Sequence, residues 1–281
     1  MASIIKRRRL ASALRQLREQ AGLTLEDVAS RLDMAQSTMS RIETARARAR
    51  PVIVHSLLPI YGIHGIEADV IVQLARDASQ RDWWYAYRDV MADWFRTFVG
   101  LEGEAAKIQV FQPQVVPSLL QTEEYARALL GAAWVNRKPA EVERRVQLRL
   151  RRQEVLGNRP GLQCQLVLGE AALHCRIGTP EILAAQLDRL VQLIDDGRIM
   201  IQVLPFTAGA TGGELGQFVL LDFPYPEDPP VGYVEHLVGG QLVEEPTEVD
   251  RLRAVFRHQR TIALSPEESR KLIVEVATAA T

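Results

Sequence analysis

Hydrophobic residues recur at helical spacing through the first 75 residues of the chain. The spacing predicts five short helices: one that Gly22 ends, and others over residues 24–32, 36–43, 51–58 and 66–75. Thr24 is placed to cap the second helix, with Glu26 and Asp27 in its first turn, where the helix dipole favours negative charge. The pattern predicts an all-α bundle at the N-terminus.

The next stretch, between residues 83 and 98, is rich in aromatic side chains. We interpret it as a helix that packs its rings into the core of a second domain. A base-stacking platform is the weaker alternative, because no dense basic residues interleave with the rings. Further helices are predicted over 122–130, 140–156 and 180–194, with two more at the C-terminal end, the last opening with the capping box Ser265-Pro266-Glu267-Glu268.

Short β-branched and aromatic runs beyond Gly157 predict four strands, over 162–168, 199–204, 217–223 and 232–237. Two segments rich in glycine or proline, 209–216 and 224–230, are predicted to be turns or mobile loops. We therefore expect two domains: a helical domain over residues 1–76 and a larger α+β domain over 77–281.

Composition and charge refine this division. The first 50 residues hold eleven basic and five acidic side chains, a net charge of +6, whereas the other 231 residues hold 23 basic and 30 acidic ones, a net charge of −7. A basic module joined to an acidic one suggests that only the first meets a polyanion. Two cysteines, no long apolar stretch and no signal-peptide pattern predict a cytoplasmic protein without a membrane segment.

The strongest motif runs from Leu23 to Glu43, LTLEDVASRLDMAQSTMSRIE, and places two short helices around a tight turn. Such a unit lays its second helix in the major groove of DNA, with the residues at that helix's N-terminal end on the base edges. Gln36, Ser37 and Thr38 occupy that end. Arg41 follows one turn later and can reach guanine or a phosphate. These four residues are the predicted base contacts.

This stretch resembles the XRE family of phage-repressor-like helix-turn-helix regulators over about residues 7–75. The resemblance implies a homodimer on a palindromic double-stranded operator. It also implies phosphate contacts from six residues: Arg7, Arg15, Thr24, Ser40, Arg46 and Arg48.

Three residues depart from the pattern of that family. Leu25 replaces a Gln that supports the recognition helix, Asp33 replaces a turn Gly, and Ala35 replaces a capping Ser. The alternative to DNA binding is a helical bundle that makes only protein contacts. The basic charge and the polar residues at the reading end both oppose it.

Residues 80–275 resemble a domain of unknown function found in actinobacterial XRE regulators of the WhiJ-like, antitoxin-like class. The segments that carry the resemblance include LEGEAAKIQVFQPQVVPSLLQTEEYARALL at 101–130 and IMIQVLPF at 199–206. Ser118 stands where this class usually has Gly. The resemblance implies a regulatory role and a small partner protein encoded nearby.

Two clusters are candidates for a catalytic or metal site: Glu170 with His174 and Cys175, and Tyr233 with Glu235 and His236. On a strand, Tyr233 and Glu235 share one face and His236 the other, so the second cluster does not converge. No paired metal-ligand motif, phosphate loop or nucleophile elbow accompanies them. We expect no enzyme, no cofactor and no metal.

Two hypotheses about function follow. The first is a sequence-specific transcriptional regulator whose C-terminal domain dimerises and senses a partner protein or an effector. The alternative is an antitoxin-like module that neutralises a small partner protein, with DNA binding secondary. Replacing Arg41 with Ala abolishes the principal activity under the first hypothesis and leaves it intact under the second.

Overall fold

The structure is a computed structural model that describes residues 4–79, 83–133, 138–159, 161–213, 216–236 and 238–280. The chain divides into two compact units, residues 1–86 and 87–281. The N-terminal unit is helical and the C-terminal unit combines helices with a six-stranded sheet, so the predicted fold class is confirmed.

The described part of the N-terminal unit consists of five α-helices: α1 (Ile4–Gln20), α2 (Leu25–Arg31), α3 (Gln36–Glu43), α4 (Pro51–Ile60) and α5 (Gly65–Ser79). Their apolar faces meet in one core, in which Leu14, Val28, Met39 and Val54 are fully buried. Gly22 ends α1 with a φ of 69°, a left-handed conformation that glycine adopts without a steric penalty. The predicted helix-turn-helix of α2 and α3 is therefore held in place by the other three helices.

The C-terminal unit is built on a mixed sheet of strands β1 (Lys107–Gln112), β2 (Gln163–Gly169), β3 (Met200–Leu204), β4 (Phe218–Asp222), β5 (Val231–His236) and β6 (Gly239–Val243). The strand order is β3-β2-β1-β4-β5-β6. The first three strands are parallel, and β4, β5 and β6 continue the sheet antiparallel from β1. Parallel pairing needs crossover connections, which helices supply here.

Within the described residues, seven helices accompany the sheet: α6 (Asp93–Glu102), α7 (Glu123–Ala133), α8 (Pro139–Asn158), α9 (Ala171–His174), α10 (Pro180–Asp195), α11 (Pro246–Ile262) and α12 (Pro266–Ala280). α7 and α8 connect β1 to β2, and α9 and α10 connect β2 to β3. α11 packs against β2 to β5, where Phe111, Phe218 and Phe256 form a buried cluster. The predicted capping box at the start of α12 is confirmed, because Ser265 and Glu268 exchange hydrogen bonds.

Two strands were not predicted. β1 carries the alternating sequence KIQVFQ but is followed closely by Pro113 and Pro117, which obscured it. β6 begins with two glycines, which have low strand propensity, and it forms through its antiparallel pairing with β5. In both cases the neighbouring strands decide the structure.

The single aromatic helix expected between residues 83 and 98 is wrong. A 3₁₀ turn over Trp83–Tyr87 is separated from α6 by an irregular segment. Phe98 is buried and stacks on Tyr233 with ring centroids 4.0 Å apart, while Tyr85 is exposed. Only the part of the stretch on α6 therefore packs as predicted.

Candidate nucleic-acid interface

The N-terminal end of α2 is fixed by a capping box. The Thr24 hydroxyl accepts a hydrogen bond from the Asp27 backbone N–H at 3.1 Å, and Asp27 Oδ2 accepts one from the Thr24 backbone N–H at 2.8 Å. The hydrogen bonds from Thr24 lower the pKa of Asp27. The cap predicted at Thr24 is confirmed, and it sets the direction in which α2 enters the motif.

The turn between α2 and α3 brings the two helices close together. The Met34 backbone N–H donates to the Ala29 carbonyl at 3.0 Å, and the Ala29 side chain is buried. Asp33 adopts a φ of 50°, the left-handed conformation expected where this residue replaces a turn glycine. The small side chain of Ala29 thus permits α2 and α3 to approach each other, and the left-handed conformation of Asp33 turns the chain between them.

Helix α3 has one buried side and one polar side. Met39 and Ile42 are buried in the core, whereas the predicted base-contacting residues Gln36, Ser37 and Thr38 are all exposed. Ala35 occupies the N-cap position and provides no side-chain hydrogen bond, as its departure from the family pattern predicted. The N-terminal end of α3 therefore presents polar side chains to solvent, and no side chain at the N-cap position closes its first turn.

The C-terminal end of α3 is tied to α1 by an ion pair that sequence reasoning missed. Arg18 Nε and Nη2 donate to the two carboxylate oxygens of Glu43 at 2.8 and 2.9 Å, and Arg18 Nη1 donates to the Leu23 carbonyl at 2.8 Å. The side chains of Arg18 and Glu43 retain 11% and 4% of their exposure. The hydrogen bonds with Glu43 raise the pKa of Arg18. This bidentate pair fixes the rotation and tilt of α3.

Four arginines extend from α3 into the segment that follows it. Arg41, Arg46, Arg48 and Arg50 are exposed, and within the described ranges none of them forms an ion pair. Ala45, at the start of this segment, has a φ of 57°. The left-handed turn there reverses the chain directly after α3, so that the arginines follow immediately beyond its C-terminal end.

The other predicted phosphate-contacting residues differ in their exposure and in whether they already have a partner. Arg15 is exposed but pairs with Glu19 at 2.8 Å, and Arg7 is half-buried on α1. Ser40 is half-buried on α3. The Thr24 hydroxyl, besides accepting from Asp27, donates to Asp27 Oδ2 at 2.7 Å. Arg46 and Arg48 are therefore the most accessible of the six.

In the C-terminal unit, the cluster of Glu170, His174 and Cys175 is held by the local fold. Glu170 Oε2 accepts a hydrogen bond from the Phe206 backbone N–H at 2.8 Å, and Glu170 Oε1 lies 3.7 Å from His174 Nε2. Cys164 and Cys175 are both free thiols. Across the described residues, no group of three or more His, Cys, Asp or Glu side chains is arranged to hold a metal ion.

A buried ion pair organises the segment around Ser118. Arg152 donates to both carboxylate oxygens of Glu102, at 2.8 and 2.7 Å, and both side chains are buried. Arg152 Nη1 also donates to Ser118 Oγ at 3.2 Å. Ser118 does not have a positive φ, so the serine needs no strained backbone and contributes a hydrogen bond to the Arg152 pair.

Family models match both units of the chain. The model described as a helix-turn-helix domain matches residues 9–70, and the model described as a domain of unknown function, DUF5753, matches residues 95–275. No curated protein and no solved structure is significantly similar to the chain. In the part of the chain that the structure describes, no helix is long and apolar enough to cross a membrane.

Proposed function

Since the chain belongs to the DUF5753 family and carries a helix-turn-helix domain, we propose that it is a sequence-specific DNA-binding transcriptional regulator. One observation carries the proposal. Helix α3 is fixed on its inner side by Met39, Ile42 and the Arg18–Glu43 pair, while its outer side is polar and open. A rigid helix with an exposed polar N-terminal end is the arrangement that enters a major groove.

Base reading is assigned to Gln36, Ser37, Thr38 and Arg41. A glutamine amide pairs bidentately with adenine, and an arginine fork pairs with guanine O6 and N7. Ser37 and Thr38 are short enough to bring the α3 backbone close to the bases. Their common exposure at one end of one helix supports the assignment.

Phosphate binding is assigned mainly to Arg46 and Arg48, which are exposed and form no ion pair within the described ranges. Each neutralised phosphate releases counterions, so these residues contribute affinity that falls with salt and carries no sequence preference. Arg7, Arg15, Thr24 and Ser40 are assigned supporting contacts. Arg15 has to exchange its partner Glu19 for a phosphate.

We also propose a homodimer on a palindromic operator, since one helix-turn-helix unit contacts few base pairs and dimers pair two half-sites. We place most of the dimer interface in the C-terminal unit, near the aromatic stretch, because residues 1–75 are polar outside their own core. Light scattering tests this directly, and a chain that stays monomeric both free and on DNA contradicts it.

The C-terminal unit is proposed to regulate rather than catalyse. Glu170 holds the Phe206 backbone and Glu102 is paired with Arg152, so these carboxylates serve the fold. For a bound partner protein or effector to change DNA affinity, it has to bind the free and DNA-bound forms unequally. A small partner protein encoded nearby stays a proposal of the same kind.

The experiment is selection of bound sequences from a random double-stranded DNA pool by the purified full chain. We expect one enriched palindrome for the native chain and a different or degenerate sequence for Gln36→Ala. Arg76→Ala, which removes an exposed arginine on α5, is the control and is expected to select the native palindrome. Failure of the native chain to enrich any sequence contradicts the proposal.

A further inference from the structure

A cleft of about 460 Å³ opens in the C-terminal unit between the sheet and helix α11. Strand β1 contributes Lys107 and Gln109, strand β4 contributes Asp222, and α11 contributes the remaining lining residues, Arg253, Arg257 and Arg260. Lys107 and Asp222 are direct partners in the antiparallel register of β1 and β4. The cleft is thus built by regular secondary structure rather than by loops.

The three arginines lie on one face of α11 because their spacing is four and then three residues. The side of the helix that carries Val249 and Phe256 is buried against the sheet, and the three arginines lie along its edge. Packing of that side therefore fixes which way the arginines point. The result is a row of guanidinium groups beside the cleft, with Lys107 on the strand across from them.

The positive charge of the cleft is only partly neutralised. Arg253 pairs with Asp222, the single carboxylate among the six lining residues. Arg260 Nε donates at 2.8 Å to the side-chain oxygen of Gln202, a neutral partner. Within the described ranges, Lys107 and Arg257 form no ion pair. Three cations therefore face the cleft without a counter-charge.

This concentration of positive charge is opposite to the charge of the surrounding sequence, since residues 51–281 carry a net charge of −7. Uncompensated cations in a cleft repel one another, and a bound anion removes that repulsion. Arginine forks are suited to the planar or tetrahedral oxygens of carboxylates and phosphates. The volume falls within the range of small-molecule sites, about 300–1,000 Å³.

We propose that this basic cleft binds a small polyanion, a metabolite that carries phosphate or several carboxylate groups, with Lys107, Arg257 and Arg260 as its cationic contacts. Gln109, which is 7% exposed, forms the inner wall of the cleft. The site gives the C-terminal unit a ligand of defined chemistry. It does not depend on DNA binding, so the proposal stands or fails independently of the proposed regulator function.

Calorimetric titration of the full chain at physiological ionic strength, without DNA, tests the site. The probes are inorganic pyrophosphate, citrate and, as a monoanion, acetate. We expect one saturable site for pyrophosphate or citrate and none for acetate. Pyrophosphate without citrate identifies a phosphate ligand, and the reverse identifies a polycarboxylate.

Variants locate the binding. Lys107→Gln and Arg257→Gln are each expected to weaken it by about tenfold or more, the effect of losing one charge-assisted contact. Arg251→Gln, an exposed arginine on α11 outside the lining set, and Arg76→Gln, an exposed arginine on α5, are controls expected to bind normally. Circular dichroism checks that each variant is folded.

Three outcomes overturn the proposal: no saturable binding of either polyanion at millimolar concentration, acetate binding as tightly as the polyanions, or unchanged binding in both cleft variants. The third outcome can be accompanied by a loss of DNA affinity in Lys107→Gln and Arg257→Gln. The cleft would then belong to a surface that contacts DNA.

Discussion

Two single residues beside α3 hold a left-handed backbone conformation, which side chains other than glycine seldom adopt. Asp33 and Ala45 are the two non-glycine residues with positive φ in the described ranges, and they lie on either side of α3. Aspartate tolerates this conformation better than alanine, because its short polar side chain can hydrogen-bond locally. Ala45 is therefore the more strained of the two.

Replacing Ala45 with Gly is expected to stabilise the N-terminal unit by about 1 kcal/mol, since the left-handed conformation costs an alanine about 1–2 kcal/mol and glycine loses part of that gain to chain entropy. Hydrogen exchange of the amides in α2 and α3 is the suitable measurement, because it reports on this unit separately from the sheet. Ala47→Gly, at a residue without positive φ, is the control and is expected to be neutral or destabilising. Faster exchange in Ala45→Gly than in the native chain contradicts the account.

At the scale of elements, the two helices of the motif begin differently. The N-terminal end of α2 is closed by the Thr24 and Asp27 side chains, and that of α3 has only Ala35. A side-chain cap contributes about 1 kcal/mol to a helix. The uncapped end is the one proposed to face the bases.

Removing the cap of α2 and adding one to α3 are expected to change helix stability in opposite directions. Thr24→Ala is expected to destabilise α2 by about 1 kcal/mol, and Ala35→Ser to stabilise α3 by a similar amount. Hydrogen exchange of the first-turn amides of each helix measures both. If Ala35→Ser leaves the exchange of the Ser37 and Thr38 amides unchanged, then the added hydroxyl does not cap α3.

The Arg18–Glu43 pair couples α1 to α3, and it is nearly buried. Glu43→Ala removes the bidentate acceptor of the nearly buried Arg18 and leaves it only the more distant Glu19, at 3.5 Å. This change is expected to cost the N-terminal unit about 3 kcal/mol. Arg18→Met with Glu43→Ala together is expected to cost less than the two single changes added, because neither charge is then left alone. Additive losses, measured by exchange of the α3 amides, would show that the two side chains do not interact.

Elements with strong local signals were predictable from the sequence. α3 occupies the predicted residues 36–43, because its boundaries are set by a local motif. β6 was not predictable from the sequence, because its two glycines do not favour a strand. The strand forms through its antiparallel pairing with β5. The Arg18–Glu43 pair and the basic cleft were also out of reach, because they join residues that are distant in the sequence.

At the scale of the whole molecule, charge is divided in a way that matches two tasks. The basic N-terminal residues include the exposed Arg41, Arg46 and Arg48, which suit a polyanionic duplex. In the C-terminal unit, Lys107, Arg257 and Arg260 line one cleft beside α11 and form no ion pair within the described ranges. One unit is thereby proposed to read DNA and the other to receive a small anion.

The central claim, sequence-specific DNA binding through α3, is tested most directly by comparing affinities for two duplexes of equal length. One carries the palindrome recovered by selection and the other a scrambled version, and fluorescence anisotropy is read at physiological salt. The account predicts that the native chain binds the palindrome about 10³-fold or more tightly than the scrambled duplex. It also predicts that Gln36→Ala loses about 1–3 kcal/mol of that preference, whereas Arg46→Ala weakens both duplexes alike and flattens the salt dependence. Equal affinity of the native chain for the two duplexes would contradict the account.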